Sequence, residues 1–309
     1  QEVYGFLKGY RSIVKLVRSF RSVWRDIRTQ YFRLRYPDGG YISCNGVRVF
    51  CDFNKPAYEW YDGYSPNLKF EQKVLDNIWK HLSGNVFIDI GAHFGFFTAH
   101  ICDRLQGTSE FTRYTVIALE PDKQNYECLK RTVDQYRKDV CENVILLPHA
   151  IAESDGTIAL YASNADCLHS YEGESSDSEY SVEGVSLNSL VDNYFTADDE
   201  LALIKIDVDG AEPHLFSGGK KALQKHNSFI LMEFAPVHLR DFGTDPETFY
   251  QELCSEYIVY WLLWKDREVR RVESDDYERI SQRIGTGVTD FLLTPNPVSF
   301  SIDSEGKVR

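Results

Sequence analysis

Four acidic residues close, or nearly close, short apolar runs. They are Asp89 in Val86-Phe87-Ile88-Asp89-Ile90, Glu120 after Thr115-Val116-Ile117-Ala118-Leu119, Asp207 after Leu201 to Ile206, and Glu233 in Ile230-Leu231-Met232-Glu233-Phe234. Carboxylates gathered at one rim offset the charge of a cationic ligand, and one set beside a hydroxyl can take its proton. His238, on the loop expected after Glu233, adds an imidazole whose ordinary pKa suits a general base. Asp207, Glu233 and His238 are therefore the catalytic candidates. Asp207 and Asp209, with Glu212, also have the ligand type of a divalent-metal site. Asp209 and Glu212 stand where a helix should begin, however, and acids there favour the helix dipole without any catalytic role.

The elements that must position these groups are legible around Asp89. The run Val86 to Ile90 reads as a buried parallel strand, and Gly91-Ala92-His93-Phe94-Gly95 then opens a helix expected to reach about Leu105. Gly91 and Gly95 fall where a side chain would obstruct a ligand at the turn, and the first helical N-H groups are expected to face it unpaired. The spacing is G-x-x-x-G, without the third glycine of the dinucleotide fingerprint that seats a pyrophosphate. S-adenosylmethionine, which has no pyrophosphate, is the common ligand of that kind on Rossmann-like sheets. Glu120, closing the second strand before Pro121, is placed to take both ribose hydroxyls on its two oxygens.

Together with Ile204-Lys205-Ile206-Asp207-Val208-Asp209-Gly210-Ala211-Glu212 and the Glu233 strand, these segments resemble the FkbM-type branch of class I S-adenosylmethionine-dependent methyltransferases. The resemblance spans roughly residues 60 to 295, with the segments in the family's order. Two positions depart from it: His93 stands where the family usually has Asn, and Asp209 where it usually has Glu. The resemblance implies a Rossmann-like, doubly wound, mostly parallel α/β sheet with S-adenosylmethionine at Asp89, Gly91, His93, Gly95, Glu120, Pro121 and Ala150. The adenine would lie against the Pro148-His149-Ala150-Ile151 turn, where His149 could equally be a cap. It further implies O-methylation of a sugar or small-molecule hydroxyl, under an upstream region in which Tyr64 and Glu71 are pocket candidates. One alternative is a methyltransferase fold that has lost turnover and serves as a docking subunit. Another, a nicotinamide enzyme, is disfavoured by the missing glycine.

The net charge of −13 is divided unevenly: residues 1–35 carry +7, leaving −20 on the rest. An acidic body argues against a nucleic-acid substrate, because phosphate binding needs a basic face. Residues 1–35 have apolar side chains at helical spacing (Ile13, Leu16, Phe20, Val23, Ile27, Tyr31) opposite arginines. Such a helix could lie on an anionic membrane, clamp an acidic partner, or pack on its own acidic body.

A turn at Tyr36-Pro37-Asp38-Gly39-Gly40 then begins a hairpin-and-helix cap over 36–82, with a methyltransferase domain expected over 83–295 and a polar tail over 296–309. The region 164–184 reads as a long acidic loop, either a lid or a surface excursion. Seven cysteines without C-x-x-C suit buried thiols in a reducing compartment, although Cys44 and Cys51 could pair across the hairpin. The longest uncharged apolar run, Tyr257 to Trp264, is too short to cross a bilayer. The first residue is not Met, which suggests a processed, truncated or partial chain.

Overall fold

The computed structural model describes residues 27–55, 61, 66–106, 113–137, 144–162, 168–169, 178–303 and 307–308. Residues 27–35 are helical, and the remainder of the expected basic helix lies outside the described residues. The hairpin expected after the Pro37 turn is present, with β1 (Gly40–Cys44) antiparallel to β2 (Val47–Cys51). Cys44 and Cys51 are both buried and free; their cross-strand partners are Val47 and Gly40, so the expected pairing option is not realised. Helix α1 (Pro66–Ile78) follows and leads into the sheet.

Alternation of strand and helix then builds the doubly wound core. The order is β3 (Val86–Ile90), α2 (Phe96–Gln106), β4 (Thr115–Leu119), α3 (Lys123–Arg137) and β5 (Val144–Leu147). After a small second sheet come α4 (Leu187–Tyr194), β10 (Leu201–Ile206), α5 (Glu212–Gly218), α6 (Lys220–Lys225) and β11 (Phe229–Phe234). Next are α7 (Pro236–Asp241), α8 (Pro246–Glu256), β12 (Ile258–Leu263), β13 (Glu268–Val272), α9 (Tyr277–Ile284) and β14 (Thr289–Thr294). The eight strands run in the spatial order β13-β12-β14-β11-β10-β3-β4-β5. The five from β11 to β5 are parallel, and β14, β12 and β13 finish the sheet antiparallel.

All residues of β3, β4 and β10 are buried, as continuous apolar runs under helices on both faces require. One face packs Ile88, Ile117, Ile204 and Phe234 against α4 and α5, and the other packs Phe87, Val116 and Leu231 against α1 and α2. Truncating a fully buried centre such as Ile88 to Ala should cost about 2–5 kcal/mol. The order in which the chain adds its parallel strands reverses between β3 and β10, and a crevice opens at the carboxyl ends of strands at such a switch point.

The second sheet, in the order β6-β9-β7-β8, joins β6 (His149–Ile151), β7 (Gly156–Ala162), β8 (Leu168–His169) and β9 (Ser178–Val185). His149 to Ile151 is thus a short strand where a turn was expected. Ser178 to Gly184, expected within the long loop, pairs with β7 and β6, and most of the preceding acidic stretch lies outside the described residues. The hairpin stacks on α2 and α3, where the Phe50 amide donates to Thr132 Oγ1 at 2.8 Å and Phe53 stacks on Phe32 of the N-terminal helix. Among the described residues no helix is long and apolar enough to cross a membrane.

Candidate active site

A cavity of about 790 Å³ opens at the switch between β3 and β10, a size typical of small-molecule sites. The four strand-end acids Asp89, Glu120, Asp207 and Glu233 all line it. So do Gly91, His93, Pro121, Ala150 and Asp209, while Ile158 to Leu160 of β7 and Leu68 and Glu71 of α1 form its walls. Glu71 therefore stands where the cap was expected to contribute; Tyr64 lies outside the described residues.

The glycine turn works differently from the expectation. Gly91 has φ +76°, and a Cβ there would come within 1.9 Å of the Asp207 carbonyl oxygen, so the adjacent strand end by itself requires glycine. Gly95 does not line the cavity; its Cβ would strike Leu129 of α3 at 2.6 Å, which makes it a packing position. Nor are the turn's amides turned toward a ligand. Gly91 and Ala92 donate to the Leu119 carbonyl, His93 donates to Glu120 Oε2 at 2.8 Å, and Gly95 donates back to Ala92. A phosphate nest needs such amides outward. This turn has committed those four inward.

Glu120 is held rigidly. Its Oε1 accepts from the Asp122 amide at 3.0 Å and from Asn125 Nδ2 at 3.4 Å, while Oε2 takes the His93 amide. A carboxylate has about four lone-pair sites, so one remains open and the long Asn125 contact is the easiest to displace. Burial raises the Glu120 pKa to about 7, against the lowering effect of those donors. Lys55, the nearby cation, pairs instead with Asp122 at 2.8 Å and Asn125 at 2.7 Å. His93 adopts φ +51°, stacks on Phe94 and Tyr61, and has Nδ1 2.7 Å from the Tyr61 hydroxyl. Burial, followed by the charge of Lys55, lowers its pKa to about 3, so it is a neutral ring at physiological pH. Phe94 is fully buried among the hairpin and α2 aromatics and does not enter the cavity.

On the other side of the switch, Lys205 Nζ donates to Asp207 Oδ2 at 2.7 Å. Burial opposes the charge on Lys205, but Asp207, Glu71 and Asp89 around it win and hold its pKa above the usual value. Asp89 accepts the Thr98 hydroxyl, and burial raises its pKa despite Lys205. Glu233 faces Asp290 in register across β11 and β14. Burial drives both well above ordinary carboxyl values, with Asp207, Asp209 and Glu212 adding to Glu233 and Glu71 and Asp207 adding to Asp290. Glu212, buried at the start of α5, accepts the Val208 amide at 3.1 Å and is raised to about 8, by burial first.

His238 lies on the short helix α7 rather than on a loop, and it does not line the cavity. Its Nδ1 is 3.5 Å from Asp209 Oδ1. Asp209, not Asp207, shares a ligand-spaced group with it and Glu233. Lys205, Asp290 and Tyr61 were missed as pocket groups. Lys205 sat inside the motif already quoted, where its place two residues before Asp207 on one strand face was the available signal. Asp290 and Tyr61 gave no local signal.

Comparison with curated proteins returns no match. Among solved structures, the chain is similar to the methyltransferase FkbM of Methylobacillus flagellatus (14% identity, 76% of this chain and 52% of that one, TM-score 0.43). The present chain thus spans about half the length of that protein. It is similar also to an O-methyltransferase from Bacillus cereus in complex with SAH (16%, 78% and 84%, 0.41). A third is the O-methyltransferase TomG from Streptomyces achromogenes, involved in tomaymycin synthesis and in complex with SAM (9%, 73% and 80%, 0.41). The model of the methyltransferase FkbM domain matches residues 89–260, more than half of the sequence. With that match beginning at Asp89 and running across the carboxyl-end rim past Glu233, the chain belongs to the FkbM methyltransferase family.

Proposed function

We propose that the protein is an S-adenosylmethionine-dependent O-methyltransferase whose acceptor is a hydroxyl of a sugar or small molecule. The observation that carries the reading is Glu120: a buried carboxylate at the end of β4, fixed by its own loop, with one acceptor site left toward a cavity whose turn offers no phosphate nest. A ribose hydroxyl fits that position, and a second enters if Asn125 yields; the expected grip on both hydroxyls is in this respect only half prepared. Ala150 to Ala152 line the cavity beside Pro121 and His149, and a purine would lie against them.

The cofactor supplies a methyl group on a sulfonium. The chain's task is to align an acceptor oxygen with the carbon-sulfur axis and to exclude water. Asp89, Asp207 and Glu71 line the cavity around Lys205, which donates to Asp207 and holds it in one orientation. The Asp207–Lys205 pair makes Asp207 a fixed charge more than a base. Glu233, lining the same cavity, is the candidate proton acceptor while no cation occupies it.

Calorimetry with S-adenosylmethionine, S-adenosylhomocysteine and NAD tests the reading. Micromolar binding of the first two, weakened at least tenfold by Glu120→Ala, is expected. Binding of NAD alone would overturn it, and tight binding without turnover on any hydroxyl panel would favour a docking role.

A further inference from the structure

We propose that Asp209, Glu233 and His238 form a divalent-cation site at the acceptor end of the cavity. One ligand atom from each lies within 4.8 Å of the other two. Ligands around a six-coordinate ion sit about 3 to 4.5 Å apart, so small side-chain adjustments close the shell.

Three separate elements bring these groups together: the turn after β10, the end of β11, and α7. Gly210 locks the first to the third. It has φ +107°, and a Cβ there would come 2.6 Å from the His238 carbonyl oxygen, so only glycine lets the Asp209 turn lie flat on α7.

A second observation points to a missing positive charge. Glu233 Oε2 is buried without a hydrogen-bond partner. Such oxygens are rare unless something else satisfies them. Among the described residues lining the cavity, Lys205 is the one ammonium, and it is engaged by Asp207. Two carboxylates and one imidazole neutralise a divalent ion. This mixed nitrogen and oxygen set suits Mn2+ or its first-row neighbours better than Mg2+ or Ca2+, which favour all-oxygen shells.

Asp209 and Glu233 line the cavity, so positions left open on the ion face it, where an acceptor oxygen can enter. That catalytic role rests on the methyl-transfer reading; binding of the ion does not. The test uses the full chain stripped with chelator and titrated with MnCl2, following loss of the free-ion electron paramagnetic signal, with S-adenosylhomocysteine titrated in parallel. One Mn2+ per chain at micromolar Kd is expected, weakened about 30-fold or more in both Asp209→Asn and His238→Ala. Cofactor affinity of these variants should stay within about threefold of the parent. Absence of saturable Mn2+ binding, or binding by both variants as tight as the parent's, overturns the site. Mn2+ binding without S-adenosylhomocysteine binding upholds the site and sinks the cofactor reading; the converse sinks the site alone.

Discussion

Replacing Glu120 by Gln separates the charge of this residue from its shape. In the folded chain burial holds its pKa at about 7, against an ordinary 4.5, so the native state binds a proton that the unfolded chain has lost between those values. A raised carboxyl pKa stabilises below the unfolded value, and that stability disappears as pH rises through the folded one. With 1.36 kcal/mol per unit, the linkage term is about 2.5 kcal/mol at pH 5 and near zero at pH 8. Gln cannot titrate and lacks this term. It also leaves either the His93 or the Asp122 amide without an oxygen, a pH-independent loss of about 1–3 kcal/mol. Urea melts of both proteins at pH 5, 6, 7 and 8 should therefore show a stability difference, wild type minus variant, that shrinks by about 2.5 kcal/mol across the series. Neighbouring acids titrate in both proteins and cancel in the difference. Parallel curves would refute the burial argument and, with it, the account of how Glu120 is poised. Since a hydroxyl donates to the ionised form, S-adenosylhomocysteine should bind wild type about tenfold more weakly at pH 6 than at pH 8.

Gly91→Ala should fail to fold or lose about 3 kcal/mol or more by thermal melting, because its Cβ meets the Asp207 carbonyl at 1.9 Å in a left-handed backbone; an unchanged Tm would contradict the packing described. Lys205→Met strips the cation from Asp207, Glu71 and Asp89. Discounting for the half-exposed Asp207, about 2–3 kcal/mol should be lost at pH 8 and less as pH falls, because burial raises the pKa values of Asp89 and Glu71, as read from denaturant midpoints. Tyr61→Phe should cost about 1 kcal/mol through its lost contact with His93 and leave the fold intact by circular dichroism.

What the sequence made visible was local. The run Leu201 to Ile206 is β10 residue for residue, and the acids closing β3, β4, β10 and β11 meet in one cavity, because a parallel strand's period and its carboxyl-end position are both written in adjacent residues. What it hid was register. That Gly91 needs glycine because of Asp207, or that Asp290 stands across from Glu233, depends on strands brought together from distant parts of the chain. His93 is similar: its identity is quoted in the motif, but its bond to Tyr61 belongs to a cap that only folding sets above the turn. The added sheet of β6, β9, β7 and β8 escaped for another reason, since Ser178 to Gly184 is polar and strand-forming only through its partners.

A crystal structure of the chain grown with S-adenosylhomocysteine tests the central claim most directly. The account predicts a nucleoside whose ribose hydroxyl lies within hydrogen-bond distance of Glu120, with its purine against Ala150 and its sulfur facing the space between Asp207 and Glu233. A ligand seated elsewhere, or a saturated crystal with Glu120 still enclosed by Asn125 and the cavity empty, would contradict it.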